Sequence, residues 1–195
     1  MSSSFQQRRR AVALLALLAM PACASAVHVS SEGVVDLEGR PVDPFAGDAA
    51  PTVLVFTRSD CPISNRYAPE INRIADLYSA RGARFWIVYP DDDDTSAAIR
   101  EHRERFGYKS PAVRDPLHTL VQAAAAKVTP EVAVFDADQR LAYAGRIDDQ
   151  YVAFGKRRAQ PTQRDLEDAL RAVLAGERPP TARTRAVGCY IPPLR

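Results

Sequence analysis

The side chain best suited to covalent chemistry in this sequence is Cys61, in the run Thr57-Arg58-Ser59-Asp60-Cys61-Pro62-Ile63-Ser64. It follows a continuous apolar stretch, Val53-Leu54-Val55-Phe56, and precedes an amphipathic one, so it falls where a strand ends and a helix begins. The unpaired N–H groups and the dipole at a helix N-terminus favour a thiolate over a thiol, and the thiolate is the nucleophile. Asp60 opposes this by like-charge repulsion, whereas Arg58 or Arg66 would assist. A second cysteine, Cys189, lies in an apolar island, Ala186 to Ile191, within a proline-rich tail.

Other clusters read less chemically. Asp91 to Asp94 are consecutive, but adjacent side chains point apart, whereas calcium loops alternate ligands with spacers; a solvated loop and a helix cap are expected. His28, His102 and His118 are scattered and none forms a metal-spaced pair with a cysteine, so no metal site is assigned. Two thiolates alone do suit Cu(I), which leaves a copper carrier as an alternative reading of Cys61 with Cys189. Arg146-Ile147-Asp148-Asp149 and Lys156-Arg157-Arg158 are read as solvated surface.

The N-terminus reads as an export signal over residues 1–26. Arg8 to Arg10 form a basic region, Ala11 to Met20 an apolar one, and Ala24-Ser25-Ala26 a small-residue cleavage site. Ten apolar residues are about half the ~20 that span a bilayer, so no stable membrane span is expected. Cys23 in Met20-Pro21-Ala22-Cys23 is a poor lipoprotein site and leaves with the signal. Three of the 26 basic residues and none of the 24 acidic ones lie in this segment, so the mature chain is near neutral. That removes the electrostatic case for nucleic acid or an anionic membrane surface. The remainder suits one domain, residues 27–176, with an extended tail, 177–195. Cys61 and Cys189 would then reside in an oxidising compartment, periplasmic or secreted, and their even number invites pairing.

Along the mature chain, Val53–Phe56, Phe85–Tyr89 and Val132–Phe135 are continuous apolar runs, the pattern of strands covered on both faces. Ile71, Ile74, Ala75 and Tyr78 recur at helical spacing before Gly82. Shorter helices are predicted over Thr95–Phe106 and Pro116–Ala126, then a hairpin turning at Asp136–Arg140. A last helix carries Leu166, Ala169, Leu170, Val173 and Leu174, with Thr162 and Asp165 as a capping pair. The result is an α/β domain around a central mixed sheet, with a helical insertion and an extended C-terminal tail.

Phe56 five residues before Cys61, and Ala68-Pro69 closing eight residues after it, resemble the thioredoxin motif F-x-x-x-x-C-x-x-C-x-x-x-A-P. From Val34 to Leu174 the chain is similar to the redoxin branch of the thioredoxin-like superfamily, which includes alkyl hydroperoxide reductase and thiol-specific antioxidant relatives. The resemblance implies a cis bond at Thr129-Pro130, with these residues presenting backbone to substrate opposite Cys61. Ser64 stands where a dithiol enzyme has its second cysteine, and serine cannot resolve a mixed disulfide. Arg58 stands where peroxiredoxins carry threonine, with Thr57 one residue away. If the tail folds back, Cys189 supplies the resolving thiol; a permanent structural disulfide is the alternative. The implied function is a thiol-disulfide oxidoreductase acting on thiol or disulfide proteins, without a cofactor. Alternatives are a thiol peroxidase acting on peroxide, or a non-catalytic thioredoxin-like binding module.

Overall fold

In the computed structural model, which describes residues 28–194, the three apolar runs form the middle of one mixed five-stranded sheet. The signal reading of residues 1–26, and Cys23 with it, lies outside the described residues. The sheet comprises β1 (Thr52–Phe56), β2 (Arg84–Tyr89), β3 (Ala112–Arg114), β5 (Glu131–Phe135) and β6 (Leu141–Gly145), in the order β3-β2-β1-β5-β6. Strands β1, β2 and β3 are parallel; β5 and β6 run antiparallel to their neighbours. The short β4 (Val128–Thr129) precedes β5 and pairs outside this sheet.

Continuous apolarity in β1 and β5 resolves into two cores. Val53, Val55, Val132 and Val134 face one side, where helices α1 (Pro62–Ser79), α2 (Ser96–Phe106) and α4 (Asp165–Leu174) contribute Ile71, Ile74, Ile99, Leu166 and Leu170. Leu54, Phe56, Ala133 and Phe135 face the other, covered by α3 (Thr119–Ala124) and by Val29, Val34 and Phe45. A strand alternates faces, so a strand covered on both must be apolar throughout.

Three local expectations are corrected. The helix predicted over Pro116–Ala126 shrinks to Thr119–Ala124 because His118 (φ 54°) and Ala125 (φ 50°) are left-handed and bound it, and a strand, β3, precedes it. Thr162 does not cap α4: its N–H and hydroxyl both go to Asp149, Arg164 occupies the cap, and Asp165 pairs with Arg146 at 2.8 Å. The run Arg146-Ile147-Asp148-Asp149 is not a solvated face, since Ile147, Asp148 and Asp149 are buried; Lys156 and Arg157, exposed as expected, form β8, which pairs with β7 (Tyr151–Ala153).

The C-terminal tail is docked. Residues 182–184 run beside β6, with Ala144 N–H donating to Ala182 O (3.0 Å) and Thr184 N–H to Ala144 O (3.1 Å). The Thr184 hydroxyl accepts from Arg146 N–H (3.0 Å) and meets the Tyr143 hydroxyl at 2.7 Å. Arg183 donates to Ala124 O (2.9 Å) at the end of α3, where free carbonyls favour a cation. The tail then forms β9 (Cys189–Tyr190), antiparallel to β4 with Cys189 opposite Thr129 and Tyr190 opposite Val128. Ile191 N–H continues the ladder to Lys127 O at 3.0 Å. Backbone ordering costs about 1–2 kcal/mol per residue and a hydrogen bond returns about 1 kcal/mol net. Two paired residues therefore cannot hold the tail alone, and the Thr184 and Arg183 anchors, with Val187 and Ile191 packed on the two cores, complete the attachment.

Gly145 sets how closely the tail approaches β6. Its φ is +149°, and a Cβ there would fall on the Thr184 hydroxyl and lie 2.5 Å from Thr184 O. Gly145→Ala is expected to cost about 1–3 kcal/mol locally and to lift the tail, so that trypsin cuts after Arg183 and Arg185 under conditions that leave the parent tail intact. An unchanged cleavage pattern would contradict this account of docking.

Candidate active site

Cys61 is the N-cap of α1, with extended backbone (φ −78°, ψ 110°) and Pro62 as the first helical residue. Its carbonyl accepts the first helical bond from Asn65 N–H at 3.0 Å. Proline suits this place because the first N–H of a helix has no partner to lose. The sulfur is fully buried.

Four elements converge on it. From the turn before β5, the Thr129–Pro130 peptide is cis and Thr129 O accepts from the Cys61 thiol at 3.0 Å. The buried Glu131 carboxylate fixes this turn by accepting from Lys127 N–H (2.7 Å) and Val128 N–H (3.2 Å). From α1, Ser64 is fully buried near Cys61 with its hydroxyl unpartnered, where it favours negative charge on the sulfur. From the tail, Cys189 pairs with Thr129 and packs against the core cluster that contains Cys61, and both thiols are free of any disulfide. Tyr108 is buried in the same core cluster as Cys61.

The two thiols are electrostatically unlike. Burial pushes the Cys61 thiol up, but hydrogen bonds from the Cys189 thiol, the Ser64 hydroxyl and N–H, and the Cys189 N–H outweigh it and leave Cys61 below its ordinary value. For Cys189, burial, the same hydrogen bond and the negative charge on Cys61 act together, and the thiol is pushed up to about 12. When the pair gives up one proton it therefore leaves from Cys61, releasing the bond to Thr129 O, while Cys189 keeps its own. Cys189 is half-buried and Cys61 lies beneath it.

The charged residues beside the motif do something other than expected. Asp91 and Asp94 are buried and are not part of a solvated loop. Asp94 accepts from Ser59 N–H (3.3 Å) and from the Ser59 hydroxyl, while Asp91 pairs with Arg58 at 2.8 Å. Arg58 also pairs with Asp60 (3.2 Å) and donates to Tyr190 O (3.5 Å), so it ties the loop before Cys61 to the tail. Asn65 binds Ser59 O (3.1 Å) and, through Oδ1, His102 Nε2 (2.7 Å); His102 Nδ1 meets the Tyr89 hydroxyl at 2.8 Å. An amide oxygen only accepts, so Nε2 carries the proton and Nδ1 accepts from Tyr89. Burial, and then the charge of Arg105, lower His102 to about 4, which keeps it neutral.

Cys61, Thr129, Pro130 and Cys189, the residues singled out from sequence, thus meet at one point. Glu131, Ser59, Tyr108 and Gly188 were not singled out, and Asp94 was read as solvent-facing, although the Gly188-Cys189 pair carries a signal, since an isolated glycine in a strand often marks close backbone approach. Among the described residues no group of three or more His, Cys, Asp or Glu side chains is placed to hold a metal ion, and no helix is long and apolar enough to cross a membrane.

Removing either donor should weaken the thiolate. In Ser64→Ala and Cys189→Ala, the midpoint of Cys61 ionisation, read from thiolate ultraviolet absorbance against pH, should rise by about one pH unit, more in Cys189→Ala. A midpoint unmoved in both would show that these groups do not hold the charge.

The sequence matches the redoxin family over residues 19–153; Cys189 lies beyond the match. A search of curated proteins returns no match. Among solved structures, a hypothetical protein of Sinorhizobium meliloti is 26% identical, with TM-score 0.64 over 74% of this chain and 80% of that one. An uncharacterized conserved protein of Geobacillus kaustophilus is 24% identical, with TM-score 0.72 over 85% and 90%. A thiol:disulfide interchange protein of the thioredoxin family from Chlorobium tepidum is 13% identical, with TM-score 0.53 over 72% and 90%, and shares the fold. With a family match over more than half its length and a thioredoxin-like arrangement of sheet, helices and cis-proline turn around Cys61, the chain belongs to the redoxin family.

Proposed function

We propose that the protein is an exported thiol-disulfide oxidoreductase in which Cys61 is the nucleophile and Cys189, on the docked tail, is the resolving thiol. The observation that carries this reading is the seating of the tail: Cys189 pairs with Thr129, whose carbonyl lies 3.0 Å from the Cys61 sulfur, and both cysteines are free. Ser64 stands where the second cysteine of a dithiol motif would stand, and the second thiol arrives from the tail instead.

The reaction runs in two exchanges. The Cys61 thiolate attacks one sulfur of a substrate disulfide; a Cys61–substrate disulfide forms, the substrate S–S bond breaks, and the departing thiolate takes a proton from solvent. Cys61 then no longer carries charge, and two of the causes that hold Cys189 protonated, its bond to the thiolate and the charge itself, disappear. Cys189 loses its proton to solvent and attacks Cys61 Sγ, forming the Cys61–Cys189 disulfide and releasing the second substrate thiolate, which is protonated. The substrate disulfide gains two electrons and the protein dithiol loses two. A dithiol reductant restores the protein, and the same steps in reverse oxidise a dithiol substrate.

A single-turnover experiment tests the assignment. Reduced protein mixed with an equimolar peptide disulfide, without other reductant, should yield the Cys61–Cys189 disulfide and reduced peptide by mass spectrometry. Cys189→Ala should stop at the Cys61–peptide adduct, and Cys61→Ala should leave the peptide oxidised. Complete turnover in Cys189→Ala would remove Cys189 from the mechanism.

A further inference from the structure

Gly188 is buried against the cis-proline turn so closely that a Cβ there would fall on Thr129 O and lie 2.6 Å from the Thr129 carbonyl carbon and 3.1 Å from Pro130 N. The neighbours in question are backbone atoms of a turn held by Glu131, by the Cys61 thiol and by the sheet, so they have little freedom to yield. The next residue, Cys189, pairs with Thr129 and brings its sulfur to Cys61; the one after, Tyr190, points into solvent at 80% exposure. The tail thus occupies the β4 edge beside Cys61, and Cys61 has no exposed surface while the tail is seated.

We propose that this edge is a seat for an extended polypeptide carrying glycine immediately before cysteine, and that Gly188–Tyr190 is its intramolecular occupant. The inference deepens the oxidoreductase reading and rests on it. An incoming segment that pairs with β4 in the register of the tail places its own preceding residue against Thr129 O, where any side chain beyond hydrogen collides; a glycine fits. Because guest and tail use the same edge, the guest must displace the tail to reach Cys61, and the tail must displace the guest strand to bring Cys189 back. Resolution of the mixed disulfide and expulsion of the substrate strand are then a single event.

The test uses the full chain with Cys189→Ser, in which no resolving thiol competes, and two peptides identical except for Gly-Cys or Ala-Cys, each cysteine carried as a mixed disulfide with thionitrobenzoate. Cys61 attacks the peptide sulfur; a Cys61–peptide disulfide forms, the peptide–thionitrobenzoate bond breaks, and the coloured thiolate leaves. The Gly-Cys peptide should react at least ten-fold faster than the Ala-Cys peptide, and the two should react equally with the chain unfolded in guanidinium. In Gly188→Ala with Cys189→Ser, where the tail no longer fits, the Gly-Cys reaction should accelerate and the preference for glycine should persist. Equal rates for the two peptides with the folded chain, or no reaction with either while free dithionitrobenzoate labels Cys61, would overturn the seat. Failure of Cys61 to react with any of the three reagents would instead overturn the oxidoreductase reading beneath it.

Discussion

A short antiparallel ladder between the tail and the strand before Pro130 places Cys189 on Cys61, and the ladder exists only because Gly188 has no side chain. The rest of the site depends on this contact. Cys61 would sit at a helix N-terminus in any case, but the strongest hydrogen bond that offsets its burial comes from Cys189, and two of the four leading donors belong to that one tail residue. The remaining anchors of the tail lie on β6 and α3, where Thr184, Arg183 and the absent Cβ of Gly145 hold the chain in the line that leads to β4.

The contact also gives the chemistry a direction. A thiolate is a better nucleophile than a thiol, and here charge and proton are divided between two sulfurs by the same hydrogen bond. While Cys61 is ionised, Cys189 is held protonated; once Cys61 is bonded to a substrate, the restraint on Cys189 lapses. In the proposed reaction the order of attack follows from electrostatics without any further group to enforce it. The loop that carries Cys61 is held from below by Asp94 on Ser59 and by the Asn65–His102–Tyr89 chain, neither of which depends on the tail.

The sheet was legible because a strand buried on both faces must be apolar at every position, and Val53–Phe56 and Val132–Phe135 are. The site was legible where a residue type is itself chemical: Cys61 at the strand-to-helix junction, Pro130 from the family resemblance, and Cys189 as an apolar island in a polar tail. What stayed hidden was held by tertiary contact. Asp91 and Asp94 sit in a run of four aspartates whose composition says solvent, yet two of them turn inward to Arg58 and Ser59. Thr162 and Asp165 carry the spacing of a capping pair, but Asp149, distant in the helix pattern, takes the threonine. Glu131 opens a strand that reads as core, and only the fold shows its carboxylate turned back on Lys127 and Val128.

The most direct test of the account is the reduction potential of the Cys61–Cys189 couple, measured by equilibrating the full chain in glutathione and dithiothreitol buffers and counting free thiols at each cysteine by mass spectrometry. The account predicts a paired, reversible couple in the range of exchange proteins, roughly −120 to −270 mV. A disulfide reduced only below about −300 mV would make the contact a structural staple, and two thiols that stay free under mild oxidant would remove the pair altogether.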